Sequence, residues 1–183
     1  MKDGMHLVRP SLHLRTAYIS YFEEWAATGE SMIPAASACD PSDFRAFIEK
    51  IQNAEKGVGI PEHWVTDSMF WLMDEHEGII GIICIRHSLT IPLLNTGGHI
   101  GYGIRPSQRK KRYATYMLHL ALEEAKKLGL PKVLITCDAA NTGSEKVIRS
   151  NGGQEDHPFI EENGNIVKRF WIDLKEENAW PKA

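Results

Sequence analysis

The spacing of apolar positions along this chain switches between helical and two-residue periods, and each switch marks an element. Met5 to Pro10 reads as a first strand that Pro10 stops. Ser11 is placed to cap a helix whose Leu14, Tyr18, Tyr21, Phe22 and Trp25 share one face, and Gly29 closes it. After a loop from Ser31 to Cys39, Asp40 and Pro41 open a second helix with Phe44, Phe47, Ile48 and Ile51 as its stripe, and the Gly/Pro-rich stretch 57–61 breaks it. Met69–Met73 and Ile79–Ile85 flank the polar turn Asp74 to Gly78 and predict a hairpin so continuously apolar that helices must cover both of its faces. Residues 86–97 read as a loop with one helical turn at Pro92, Leu93 and Leu94. Ile100, Tyr102 and Ile104 then alternate as a strand ended by Pro106. From Ala114 the spacing is helical again, through Met117, Leu118, Ala121, Leu122, Ala125 and Leu128 to Gly129 and Pro131. Lys132–Cys137 is a buried strand and Asn141–Ser150 a short helix. Gln154–Ile160 and Ile166–Leu174 form a hairpin about Glu161, Glu162, Asn163 and Gly164. The order is β, α, α, β, β, β, α, β, α, β, β, with no internal repeat.

Composition narrows the class. A chain of 183 residues that is 43% hydrophobic suits one domain over residues 1–183 with an ample core. The net charge of -3 supplies no global basic field, so nucleic acid is not an expected partner. Cys39, Cys84 and Cys137 are odd in number and widely spaced, as reduced cytoplasmic thiols are. The histidines show no metal-ligand spacing, so no metal is expected. The first residues lack an apolar signal core, and the longest apolar run, 79–85, is too short to span a membrane. A cytoplasmic protein with no membrane partner is the expectation.

Against that mildly acidic background one local cluster stands out. Arg109, Lys110, Lys111 and Arg112 lie between the strand ending at Ile104 and the helix opening at Tyr113 and Ala114. The positive end of the helix macrodipole disfavours cations there, and Asp or Glu would be expected. First-turn N–H groups have no intrahelical partner, so a strand, a basic loop and a helix N-terminus make an anion site in which a phosphate offsets the cationic repulsion. A solvated basic surface is the competing reading.

The run from Arg105 to Thr115 resembles the acetyl-CoA pyrophosphate loop of the Gcn5-related N-acetyltransferases (GNAT), whose pattern is Arg/Gln-x-x-Gly-x-Gly/Ala. Arg109 takes its first position, Ala114 its last, and Arg112 stands where the pattern has Gly. Asn141 and Gly152 keep the family's spacing after the fifth strand. The stretch Gly97 to Pro106, with Arg86-His87 before it and Phe170-Trp171-Ile172 near the end, is similar to a group of uncharacterised bacterial members.

The resemblance implies a single α/β (α+β) domain with a central mixed, mostly antiparallel sheet, helices on its flanks, and fourth and fifth strands that splay near Ile104 and Cys137. It implies acetyl-CoA as co-substrate, held by Gly103, Ile104, Arg109, Lys110, Lys111, Arg112, Tyr113, Ala114, Thr115 and Asn141. A free amine would attack the thioester carbonyl, with a backbone N–H near Gly103 or Ile104 stabilising the oxyanion. An alkylamine has a pKa of about 10.4, so a base or water chain must deprotonate it. His99 is the first candidate base and a buried structural histidine the competing reading; Asp138 is placed to hold a water or the substrate ammonium, or to serve as a turn residue. Relatives carry a Tyr seven positions after the Asn, as acid for the leaving thiolate, where this chain has Ile148. Cys137 is read as a small buried hydrophobe. The aromatic face of the first helix is core by default, with an acceptor pocket as the alternative. The expected partners are acetyl-CoA and a primary amine of a small molecule or peptide, with a homodimer left open. Arg112 and Ile148, both off the family pattern, keep a non-catalytic acyl-CoA-binding or regulatory module as the second hypothesis.

Overall fold

The computed structural model of the chain describes residues 4–175. Among these, β1 (His6–Val8) is followed by α1 (Arg15–Thr28), α2 (Phe44–Glu55), β2 (Asp67–Met73), β3 (Ile79–Arg86) and β4 (Ile100–Ile104). Then come α3 (Tyr113–Lys127), β5 (Lys132–Asp138), α4 (Thr142–Ser150), β6 (Gln154–Ile160) and β7 (Ile166–Asp173), in the order the periodicity predicts.

The strands form two sheets, β1-β2-β3-β4 and β5-β7-β6. Among the described residues the ladders are antiparallel, and β4 and β5 lie side by side without pairing, the splay expected of the fourth and fifth strands. Alternation along β2 explains why its sequence is unbroken in apolarity. Met69, Trp71 and Met73 face α1 and α2, where Tyr18, Tyr21, Trp25, Phe44, Phe47, Ile48 and Ile51 close one core. Phe70 and Leu72 face the other way, into a second core filled by Met117, Leu118, Ala121 and Leu122 of α3, Ile148 of α4 and the inner face of β5 and β7. The aromatic stripe of α1 is therefore core: Tyr18 and Tyr21 are fully buried.

Two local expectations change. Ser11 makes no capping bond; it precedes a 3-10 turn over Leu12–Leu14, its hydroxyl pairs with His13, and α1 begins only at Arg15. Asp40 does cap, accepting the Ser42 N–H at 2.8 Å, but it too opens a 3-10 turn before α2 starts at Phe44. Among the described residues no helix is long and apolar enough to cross a membrane.

Candidate active site

The gap between the two sheets is fastened at one end. Residues 93–97 make a wide helical turn, held by Arg86, whose Nη1 donates to the carbonyls of Gly97 and Gly98 at 2.9 Å each. Gly98 has φ of +60° and passes so close to β5 that an added Cβ would lie 2.7 Å from the Leu134 carbonyl oxygen, so only glycine fits. His99 then bonds β5 twice: its N–H donates to the Leu134 carbonyl at 2.7 Å, and Leu134 N–H donates to its Nδ1 at 2.9 Å. Nδ1 must therefore keep its lone pair. Burial, with nearby Arg86 adding to it, pushes the His99 imidazole down to about 4. Thr136 Oγ1 adds a bond to the Thr96 carbonyl at 2.6 Å. Beyond this clasp, among the described residues, β4 pairs only with β3 and β5 only with β7.

The register decides which backbone groups face the gap. Arg105 N–H donates to the Ile80 carbonyl, and the β3–β4 ladder runs without a shift from Ile85↔Ile100 to Gly81↔Ile104. Alternation then turns the groups of Gly101 and Gly103 toward β3 and leaves the N–H and C=O of Tyr102 and Ile104 on the open edge. Of the two expected oxyanion donors, Gly103 is thus committed to the ladder, and Ile104 is not. Gly103 has a different reason to be glycine: a Cβ there would stand 2.0 Å from the Ile33 carbonyl oxygen. The α1–α2 loop lies on β4 at this point. Tyr18 secures that loop, donating to the Ser37 carbonyl at 2.8 Å and accepting the Cys39 N–H at 2.9 Å.

At the far end of β4 the basic loop leads into α3. Lys110 and Arg112 have φ of +61° and +65°, so the Gly slot that Arg112 fills is a left-handed position, at a cost of roughly 1 to 2 kcal/mol for a residue with a Cβ. The N-terminus of α3 has no side-chain cap and no acid in its first turn. Lys110, Lys111 and Arg112 are exposed around it, with Lys111 Nζ on Gln108 Oε1 at 3.0 Å. An uncapped positive helix end ringed by cations is chemically suited to a phosphate ester. Arg109 stands apart from this ring. Its guanidinium meets Glu30 in a two-bond fork at 3.1 and 2.7 Å, lies 4.8 Å from the Trp25 ring, and sends Nε to the Ile104 carbonyl at 3.3 Å. The arginine holds Glu30 below the usual carboxylate range. Arg105 likewise pairs with Glu24, which also accepts the Ser107 N–H at 2.7 Å. Glu24 of α1 and Glu30, just past its end, thereby dock the loop to the first half of the fold, and no local sequence signal marks them.

The other predicted residues have identifiable places. Asn141 Oδ1 accepts the Ser144 N–H at 3.0 Å and caps α4. Asp138, exposed at the end of β5, accepts from Asn165 Nδ2 at 2.9 Å and steadies the β6–β7 turn. Thr115 is buried, and its carbonyl accepts from Asn151 Nδ2. Ala114 packs against the larger core. Tyr113, with Gln108, Met5 and Ile80, lines a cavity of about 240 Å³ whose remaining wall is Asp74, Glu75 and His76. Those carboxylates make it a poor host for a phosphate. Cys137, Tyr102 and Ser144 gather at the gap itself: the Tyr102 hydroxyl is 2.8 Å from Ser144 Oγ, and burial pushes the Cys137 thiol up to about 11. Among the described residues no group of three or more His, Cys, Asp or Glu side chains is placed to hold a metal ion.

Comparison with solved structures returns the same fold. A spermidine N-acetyltransferase chimera from Vibrio cholerae and hSSAT superposes with a TM-score of 0.65 at 15% identity, covering 94% of this chain and 97% of its own. A GNAT-family acetyltransferase from Bacillus anthracis gives 0.64 at 16% identity, covering 96% and 98%. The microcin C7 self-immunity acetyltransferase MccE, in complex with acetyl-CoA and AMP, gives 0.67 at 16% identity, covering 93% of each chain. A search of curated proteins gives no match. The sequence profile of the acetyltransferase (GNAT) domain matches residues 8–154, most of the described chain, and with the split sheet and the basic loop in place the chain belongs to the GNAT acetyltransferase family.

Proposed function

We propose that this acetyltransferase moves the acetyl group of acetyl-CoA to a primary amine of a small molecule or peptide by direct attack on the thioester. The observation that carries the reading is the uncapped, cation-ringed N-terminus of α3 at the mouth of the gap between β4 and β5. The residues fit the co-substrate. Backbone N–H groups of the first turn and the side chains of Lys110, Lys111 and Arg112 meet the phosphates, and the open edge of β4 offers hydrogen bonds to an amide-bearing arm. Acetyl-CoA supplies the activated carbonyl.

The rest of the work falls to the chain. The N–H of Ile104 or Tyr102, on the open edge, is aimed at the developing oxyanion. The α1–α2 loop, locked by Tyr18 over Gly103, shapes the side from which the amine approaches. His99 serves as a clasp between the half-sheets: with Nδ1 committed and its pKa near 4, it is a poor base for an amine at neutral pH, and solvent takes that proton. Arg109 braces the phosphate loop against Glu30. Because a spermidine N-acetyltransferase is among the structural neighbours, we include spermidine among the acceptors to test.

Thiol release from acetyl-CoA, followed with spermidine, tyramine, lysine and a peptide with a free N-terminus, tests the reading. Release above the amine-free rate with at least one of them is expected, together with a rise in melting temperature on CoA addition. CoA binding with no amine-dependent release would establish the non-catalytic module instead.

A further inference from the structure

The cavity walled by Tyr113 shares its lining with the basic loop. Gln108 and Tyr113 stand immediately before and after the four cations at 109–112, so each cation lies within two residues of the cavity wall, at most about 7 Å along the backbone. Lys111 is tied to the wall itself, its Nζ on Gln108 Oε1 at 3.0 Å. The facing wall is the β2–β3 turn, with Met5 ahead of β1 and Ile80 of β3 below it. Because the first sheet runs β1-β2-β3-β4, the cavity opens on the side of the α3 N-terminus away from the gap.

The lining divides into committed and uncommitted groups. Asp74 Oδ1 is used within the turn, accepting the N–H groups of His76 at 2.9 Å and Gly78 at 2.8 Å. Glu75 stands at the solvent rim, its side chain 70% exposed and 3.6 Å from His76 Nε2, too far for a hydrogen bond. Gln108 has given Oε1 to Lys111, which leaves the N–H groups of Nε2 as donors. Met5, Ile80 and Tyr113 supply apolar and aromatic surface. A volume of about 240 Å³ falls below the roughly 300 Å³ at which sites for drug-sized ligands begin, and it suits a single flat ring system. The carboxylates repel a phosphate, and the apolar walls suit a ring better than a bare ammonium. The matching ligand is a heteroaromatic ring with an amino group to donate and a ring nitrogen to accept.

We propose that this cavity is the subsite for the adenine base of acetyl-CoA. The phosphates lie on the α3 N-terminus and its cations, and the base turns away from the gap into the cavity, against the Tyr113 ring. Its amino group donates to the Glu75 carboxylate and a ring nitrogen accepts from Gln108 Nε2, the pairing that carboxylates and carboxamides make with base edges. The nucleotide thus meets a receptor of two signs, cations for its phosphates and a carboxylate for its amino group. Holding the base on one side of the helix end directs the amide-bearing arm toward the gap on the other. The proposal rests on the acetyl-transfer reading above, which seats the phosphates at this helix end.

The experiment titrates the full chain calorimetrically with acetyl-CoA and with its deaminated analogue, which keeps every phosphate but carries hypoxanthine. The analogue sets a carbonyl oxygen against Glu75 in place of an amino group. The wild type is expected to bind acetyl-CoA roughly fivefold to fiftyfold more tightly than the analogue, the lower part of the range for hydrogen bonds to a charged group because the rim is wet. In Glu75→Ala the ratio is expected to fall to within about twofold. Removing an acid beside the phosphates also strengthens binding of both ligands through simple Coulomb attraction, and that effect cancels in the ratio. Tyr113→Leu is expected to weaken both ligands by about fivefold or more, since stacking is indifferent to the base. Equal binding of the two ligands by the wild type, or a preference that survives Glu75→Ala, overturns the subsite and leaves acetyl transfer standing. Competition by spermidine that Glu75→Ala relieves makes the cavity a cation site and overturns it too. A base preference lost in Glu75→Ala, in a protein that releases no thiol with any amine, sustains the subsite and overturns the transfer reading. No binding of acetyl-CoA at millimolar concentration overturns both.

Discussion

Acid should loosen the clasp at His99, and its size follows from the geometry. In the folded protein Nδ1 accepts the Leu134 N–H, and the ring is almost completely buried, so protonation is deferred from the ordinary 6.5 to about 4. The unfolded chain binds a proton near the ordinary value, so it binds more protons than the folded chain between those limits. Stability associated with His99 is therefore complete above pH 6.5, falls by up to about 1.4 kcal/mol per pH unit as the pH drops, and has gone by pH 4. The whole step corresponds to about 3 kcal/mol. His99→Asn isolates it, because a carboxamide oxygen can stand in for Nδ1 as acceptor and does not titrate. His87 and His119, also held below their ordinary values by burial, and the paired carboxylates remain in both proteins and cancel in the difference. Urea unfolding at pH 7 and pH 4.5 should show the wild type losing about 2 to 3 kcal/mol more than the variant, a relative shift of roughly 1 M in midpoint. Parallel losses in the two proteins would refute the clasp, and a turnover defect of a hundredfold in a fully folded His99→Asn would return His99 to the role of base.

Two substitutions probe the loop and the strand. Arg112→Gly removes a left-handed strain but makes the unfolded chain more flexible, so a net gain of up to about 1 kcal/mol is expected from thermal melts. The same change removes a cation beside the phosphate site and should weaken acetyl-CoA about threefold to thirtyfold, more at low salt than at high, by calorimetric titration; equal or tighter binding would show that the arginine only obstructs. Gly103→Ala forces the Ile33 carbonyl off β4 and should cost roughly 1 to 3 kcal/mol with a loss of turnover, whereas Gly101→Ala, whose Cβ would meet Pro34 at an ordinary 3.6 Å, should leave both near wild type. Similar losses in the two alanine variants would mean that the loop is not seated as described.

What the sequence determined by itself was everything that local periodicity and local charge express. The order of strands and helices follows from the switch between two-residue and helical spacing, the doubly covered β2–β3 hairpin from its unbroken apolarity, and the basic loop before α3 is marked by four cations set where a helix dipole should repel them. The left-handed requirement at Arg112 was latent in the family pattern, since a Gly slot often marks a positive φ. Tertiary structure decided which side chains answer one another. Arg109 reads from the pattern as a phosphate ligand, and the fold brings Glu30, just past the end of α1, to its guanidinium from 79 residues away. His99 looked like a base until β5 presented the Leu134 N–H, 35 residues on, to its Nδ1. Tyr102 carried no distinguishing mark until α4 set Ser144 against it, 42 residues on. Gly103 reads as a donor from its strand position, yet the register of β4 on β3 turns its N–H away and the α1–α2 loop explains its missing side chain. Periodicity reports which face of an element is apolar, but partner, register and the protonation that burial imposes depend on how distant elements pack, and no stretch of sequence carries that information alone.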